Sequence, residues 1–219
     1  LTSLKGLGSK AIEQIIENRP FQKIEEFLFH ENISYSKLNK RAIDVLIRSQ
    51  ALNSLVDDRF VGLRHFWSAV AVDRPKTPKK FHENIDVYKA EGDFSDEEKI
   101  EYLSSLTGVF PIELVMSKKI KSRLEEVHVP PISEYDKDLL VCWGIIREVE
   151  LKKTKNGKYY YLVSVIDDNS EVTRVKCWGI KPEKDKLQLN KLYMIRPDYD
   201  EQWGYSTRGN VSYRWKQLG

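Results

Sequence analysis

The apolar positions change period along the chain, from helical spacing in its first half to strand-like alternation towards its end. Ala11, Ile12, Ile15 and Ile16 share one face of a helix over 9–18. Arg19-Pro20 ends it, because proline disfavours α geometry in the residue before it. Phe21, Ile24, Phe27 and Leu28 predict a second short helix. Ser36 is expected to cap a third, with Leu38, Ile43, Leu46 and Ile47 as its buried stripe. Ser49-Gln50-Ala51-Leu52 breaks that pattern, and Asp57 is expected to cap a fourth helix carrying Phe60, Leu63, Phe66, Trp67 and Val70. Residues 1–72 thus read as a small all-helical unit. Residues 73–93, with prolines, many charges and little periodicity, read as a linker. Ser95-Asp96-Glu97-Glu98 is a capping box that starts a helix burying Ile100, Leu103 and Leu106 and ending near Gly108. Pro111 is expected to open another, through Val115, Ile120 and Leu124, so 94–132 reads as a helical connecting segment closed by Pro130-Pro131.

Residues 133–219 are β-rich. Strands are expected over 139–151, 159–166, 172–178, 192–196 and 211–215. Thr154-Lys155-Asn156-Gly157-Lys158 forms the first turn, since Asn-Gly is a strong hairpin signal. Five short strands with an irregular link after the third fit an OB-fold barrel; a plain five-stranded meander is the alternative. The predicted class is α+β and multi-domain.

A chain of 219 residues that is 41% hydrophobic can bury a core. No apolar run approaches the ~20 residues of a membrane span, and no signal peptide is visible. The chain begins at a leucine inside what reads as a motif, so a fragment of a longer protein is expected. The two cysteines, Cys142 and Cys177, lie in apolar strand-like runs and are expected as buried thiols in a reducing cytosol. Net charge is only +3, so its distribution matters more: Lys152, Lys153, Lys155 and Lys158 crowd the first turn.

The opening stretch, Leu4-Lys5-Gly6-Leu7-Gly8-Ser9-Lys10, places two glycines and a presumptive Ser9 cap before a helix. A helix start offers free N–H groups and a partial positive charge, and two lysines beside it favour phosphate. The same pattern also describes an ordinary tight turn. In the third expected strand Arg174, Lys176 and Trp178 share a face, and in the second Tyr159 and Tyr161 share one with Val163 and Val165. The loop before the last strand holds Trp203, Tyr205 and Arg208. Bases stack on aromatics while cations follow the backbone, so these residues are the candidate single-strand contacts, together with the lysine turn. Trp143 and Tyr160 read as packing residues instead.

No catalytic constellation is present. His30, His65, His82 and His128 are scattered, there is no P-loop, and no aspartate pair suits two-metal chemistry.

The order of features is more specific than any one of them. The Leu4–Gly8 hairpin, Asn39-Lys40-Arg41-Ala42-Ile43-Asp44-Val45-Leu46-Ile47, Ala51-Leu52-Asn53-Ser54-Leu55 and Arg59 come first. Glu98–Leu103 and Thr107–Pro111 follow, and then a barrel with Thr154–Lys158 and Ile166-Asp167-Asp168. This resembles the C-terminal part of the bacterial C-family replicative DNA polymerases, the polymerase III alpha family, with a divergence suggestive of a phage version. The resemblance implies a helix-hairpin-helix region that grips duplex primer-template and an OB domain that contacts single-stranded template, with catalysis upstream of this chain. It implies no cofactor in this segment, although the parent polymerase would need Mg, and a cytoplasmic location in a bacterial or phage-infected cell. By motif match Gly6, Leu7 and Gly8 would offer N–H groups to phosphate, with Lys5, Ser9 and Lys10 assisting. Lys40 and Arg41 would be further backbone contacts, or ordinary charges on a helix face. Two departures stand out. Gln50 occupies a position where the family has glycine in its second hairpin, and 72–93 lacks the family's clamp-binding segment. A sliding clamp or clamp loader therefore remains an expected partner without a visible motif. The rival readings are a free-standing single-strand or junction-binding protein, and an adapter that docks a clamp or its loader.

Overall fold

The computed structural model describes residues 4–218. The chain divides into two compact units, Leu1–Phe110 and Pro111–Gly219.

The first unit is helical: α1 (Ser9–Asn18), α2 (Ile24–Phe29), α3 (Lys40–Arg48), α4 (Leu63–Trp67) running into a π turn over Ser68–Val72, α5 (Pro78–Val87) and α6 (Asp96–Thr107). Its core is built on Ile24, Phe27, Leu38, Ile43, Leu46, Phe66, Val70 and Phe81. α1 occupies its expected span, but Gly8 is the N-cap and Ser9 is the first helical residue. Ser36 is not a cap. The Lys37 and Leu38 N–H groups both turn back to the Ser34 carbonyl at 3.0 Å, and the cap is Asn39, whose side chain accepts from Ala42 N–H at 3.0 Å. Asp57 is likewise diverted, since its carboxylate takes the Arg59 N–H at 3.1 Å and the Arg59 guanidinium. α4 starts only at Leu63, whose N–H is accepted by Asp93 Oδ1 at 2.9 Å, a cap supplied from 30 residues away.

The segment 73–93 is not a linker. Thr77 caps α5, Pro78 occupies its first turn, and Phe81 and Ile85 are buried in the core. Asn84 is fully buried, and its amide donates to the Ala69 carbonyl at 2.9 Å and the Asp73 carbonyl at 2.6 Å. Two apolar residues one turn apart are a narrow stripe, easily hidden among charges. α6 carries the full Ser95/Glu98 capping box and ends at Gly108 with φ +76°, where glycine avoids the left-handed penalty.

The second unit opens with a 3-10 turn at Ile112–Leu114 and then α7 (Lys118–Glu126), which Ser117 caps. The connecting segment 94–132 is therefore split between the units, and the helix expected from Pro111 begins seven residues later, at Lys118. Next come β1 (Cys142–Lys153), β2 (Tyr159–Ile166), β3 (Val172–Trp178), β4 (Leu192–Ile195), β5 (Asp198–Asp200), β6 (Gly204–Arg208), α8 (Val211–Arg214) and β7 (Trp215–Leu218). Among the described residues they form one curled mixed sheet of seven strands, a half-barrel in the order β5-β6-β3-β2-β1-β4-β7. The β3–β6 pair is parallel. The five expected strands become seven because the long loop before the last folds as a hairpin. Asp200 Oδ1 accepts the Gln202 and Trp203 N–H groups, both at 2.9 Å, and Gly204 takes φ +69°. The expected strand over 211–215 is mostly α8, capped by Asn210. One sheet face buries Ile146, Tyr161, Val163, Val165, Val175, Cys177 and Ile195. Cys142 and Cys177 are buried free thiols, and burial pushes the Cys142 thiol up to about 12.

Candidate nucleic-acid interface

In the first unit the hairpin has the form an anion contact needs. Gly6 has φ +92°, a conformation that side-chain-bearing residues avoid. The first helical bonds run from Ala11 and Ile12 N–H to the Gly8 carbonyl at 3.0 and 3.2 Å. The N–H groups of Ser9 and Lys10 precede them and face the free end of α1. Lys5, Gly6, Gly8, Ser9 and Lys10 are exposed, while Leu7 is half-buried against the core and anchors the loop. The Lys5 N–H donates to the Leu106 carbonyl at 2.9 Å, so the hairpin is tied to the last turn of α6.

Lys40 and Arg41 occupy the first turn of α3, both exposed. A Cβ on Gly6 would lie 4.0 Å from the Arg41 guanidinium, which brings α3 and the hairpin onto one surface. Both cations also line an open pocket of about 320 Å³ with Asp44, Trp67, Ala71 and Val72. Gln50 has φ +62° and closes a Schellman end on α3: its N–H reaches the Ile47 carbonyl at 2.8 Å and that of Ala51 the Leu46 carbonyl at 2.9 Å. The position asks for glycine and this chain fills it with glutamine.

In the second unit strand pairing decides which candidates share a face. Tyr160 lies opposite Trp178, and these are flanked by Lys152 on β1 and Arg208 on β6. The next rank is Glu150, Leu162, Lys176 and Ser206, and the third Glu148, Ser164 and Arg174. The Tyr160 and Trp178 rings stack with centroids 4.4 Å apart and planes at 29°. Trp203, 65% exposed at the β5–β6 turn, has the Lys176 ammonium 5.6 Å from its ring and accepts from it through its carbonyl at 3.1 Å. Arg174 and Arg208 are exposed.

Four of the expected single-strand contacts have the opposite, core-face parity, with Lys153 at the rim among them. Tyr161 pairs with Cys177 on the core face and is 9% exposed. Tyr205 packs against the same core and donates its hydroxyl to the Ile132 carbonyl at 3.4 Å. Tyr159 has the core-face parity but stands at the rim, 46% exposed, with the Lys153 ammonium 5.1 Å from its ring. The residue missed was Tyr160. Its signal was present: it alternates out of phase with Val163 and Val165, whose side is the core.

Charge is uneven across this outer face. Glu148 and Glu150 make the β1 side acidic, and the Glu150 carboxylate pairs with Lys152 and holds its ammonium above the usual range. Arg174, Lys176 and Arg208 make the β3 and β6 side basic. Lys155 and Lys158 remain exposed in the first turn, closed by Thr154 N–H to the Lys158 carbonyl at 2.9 Å. Among the described residues no group of three or more His, Cys, Asp or Glu side chains is placed to hold a metal ion, and no helix is long and apolar enough to cross a membrane.

Residues 1–61 match the helix-hairpin-helix motif family. The chain is 23% identical over 213 residues to DNA polymerase III subunit alpha of Aquifex aeolicus (strain VF5), a match covering 92% of this chain and 17% of that protein. The chain therefore spans about a sixth of the relative's length. A hairpin family at the start and likeness to one polymerase subunit over nearly the whole length together fit the C-terminal helix-hairpin-helix and OB region of the polymerase III alpha family.

Proposed function

We propose that this chain is a non-catalytic DNA-binding module of a replicative DNA polymerase. Its first unit holds duplex at the hairpin, and the outer face of its sheet holds single-stranded template. The observation that carries the reading is the rank Lys152–Tyr160–Trp178–Arg208: a stacked aromatic pair between cations on an outer sheet face, beside Trp203. Aromatic platforms accept any base, and phosphate contacts ignore sequence, so binding is largely sequence-independent. The half-barrel is read as an OB-fold with an inserted β5–β6 hairpin. Polymerisation and its Mg belong to other parts of the longer bacterial cytoplasmic protein in this reading. Docking of a sliding clamp through 73–93 would need a run of exposed apolar side chains there, yet Phe81 and Ile85 are buried and Val87 alone is strongly exposed among the large apolar residues described in it.

Fluorescence anisotropy with primer-template, blunt duplex and single-stranded oligonucleotides across a salt series tests the reading. Affinity falling steeply with salt and highest for primer-template is the expected result. No binding of any oligonucleotide at low salt would sink it.

A further inference from the structure

Arg74 is 9% exposed, yet among the described residues no carboxylate pairs with it. The neighbouring Asp73 carboxylate is taken by Lys80 at 2.9 Å. Arg74 donates from Nη1 to the Tyr35 carbonyl at 2.7 Å and lays its guanidinium 3.7 Å from the centroid of the Tyr35 ring, and its Nε has no partner. Burial alone lowers its pKa. A buried cation without an anion is unfavourable, so a fold that keeps one calls for a reason. Tyr35 itself is 45% exposed, and the Lys76 ammonium stands 5.9 Å from the same ring. An exposed ring with a buried cation packed close against it and an exposed one near it is suited to stack a base and hold its phosphate.

Further cations lie in the same unit. The pocket that adjoins Lys40 and Arg41 is also lined by Ala71 and Val72, the residues leading into Arg74, and Arg41 approaches Gly6 of the hairpin. The hairpin, α3, Tyr35 and Lys76 all belong to the first unit.

We propose that Tyr35, with Lys76, is a stacking site in the first unit for one unpaired nucleotide of a strand that leaves the duplex held at the hairpin. Tyr35 supplies the ring and Lys76 meets the phosphate. Arg74 is a positioning residue that fixes the ring and keeps positive charge behind it. The proposal rests on the DNA-binding reading and adds a site to it. An acidic peptide would use the cations but has no need of the ring.

The test uses the whole chain and three probes: blunt duplex, the same duplex with a single-stranded overhang, and the same duplex with an abasic overhang. Tyr35→Ala should weaken binding of the tailed duplex about 5- to 20-fold, Tyr35→Phe should restore it, and neither should alter the other two probes. Lys76→Glu should weaken the tailed probes and reduce the salt slope by about one. An equal loss on the abasic overhang would show that the ring is not stacking a base. Variants that bind the tailed duplex like the parent, while Trp178→Ala is impaired, would overturn this site and leave the module reading intact. Failure of the parent chain to bind any probe would overturn both. A competing acidic peptide that displaces the overhang through Tyr35 would reassign the site to protein. Tyr35 bonds Arg74 only through its carbonyl, so its substitutions leave that hydrogen bond in place.

Discussion

Gly6 and Gly8 lie two residues apart, and the structure assigns them opposite consequences when alanine replaces each. At Gly6 a Cβ would meet Val45 Cγ2 at 3.5 Å and Arg41 Nη2 at 4.0 Å, both ordinary contacts, so space is not the obstacle. The obstacle is φ +92°, which in a residue with a Cβ costs about 1–2 kcal/mol. Reduced freedom of the unfolded chain returns about 0.4–1 kcal/mol, so Gly6→Ala should destabilise by roughly 1 kcal/mol, or about 4 °C in the melting of the first unit. At Gly8 φ is −75° and nothing lies within 4 Å of the new Cβ. Alanine is a poorer N-cap than glycine by some tenths of a kcal/mol, and the same unfolded-state gain cancels that, so stability should hardly move. Binding should respond the other way. In the proposed contact, a methyl group at Gly8 would hinder a phosphate approaching the Ser9 and Lys10 N–H groups. Losing one charge-assisted hydrogen bond, about 1.5–3 kcal/mol, weakens duplex about tenfold or more. Thermal melting and duplex anisotropy on the two variants give four numbers. A Gly8→Ala variant that melts and binds duplex like the parent would refute the hairpin contact. A Gly6→Ala variant that melts like the parent would refute the backbone argument.

Trp178→Ala should weaken single-stranded DNA binding by about 1–3 kcal/mol and cost only about 0.5–1.5 kcal/mol of stability through the lost Tyr160 stack, whereas Tyr161→Ala, made in the core, should cost about 3 kcal/mol in urea denaturation; the reverse pattern would exchange the two faces of the sheet. Gln50→Gly should stabilise the first unit by about 0.5 kcal/mol, because the strain of φ +62° outweighs glycine's extra unfolded freedom; a lower melting temperature would count against the Schellman reading. Glu25 and Asp57 both hydrogen-bond Arg59, which holds both carboxyls below their usual values of 4.5 and 3.8. A lowered carboxylate stabilises above its unfolded pKa and loses that contribution as pH falls through the folded one. Urea midpoints should therefore drop as pH falls below about 4.5, and Arg59→Gln should flatten that drop.

Much of the local structure was legible in the sequence. α1, β2 and β3 occupy their expected spans, and the α6 capping box and its Gly108 end are as read, because each rests on residues within a few positions of one another. Pairing across distance was not legible. Asp93 caps α4 from 30 residues away, which displaced the Asp57 cap, and α5 revealed its core role only once Phe81 and Ile85 met the other helices. The same limit governs the interface. Alternation separated Tyr160 from Tyr161, but which side is covered depends on the register that sets Tyr160 against Trp178 and Tyr161 against Cys177. The Tyr35–Arg74 contact joins residues 39 apart that share no motif. Short-range chemistry is written in neighbouring residues, and sequence alone determined the hairpin, the α6 capping box and the strand period. The choice of face, the extra hairpin and the buried arginine come from packing between distant segments, which only the tertiary structure decides.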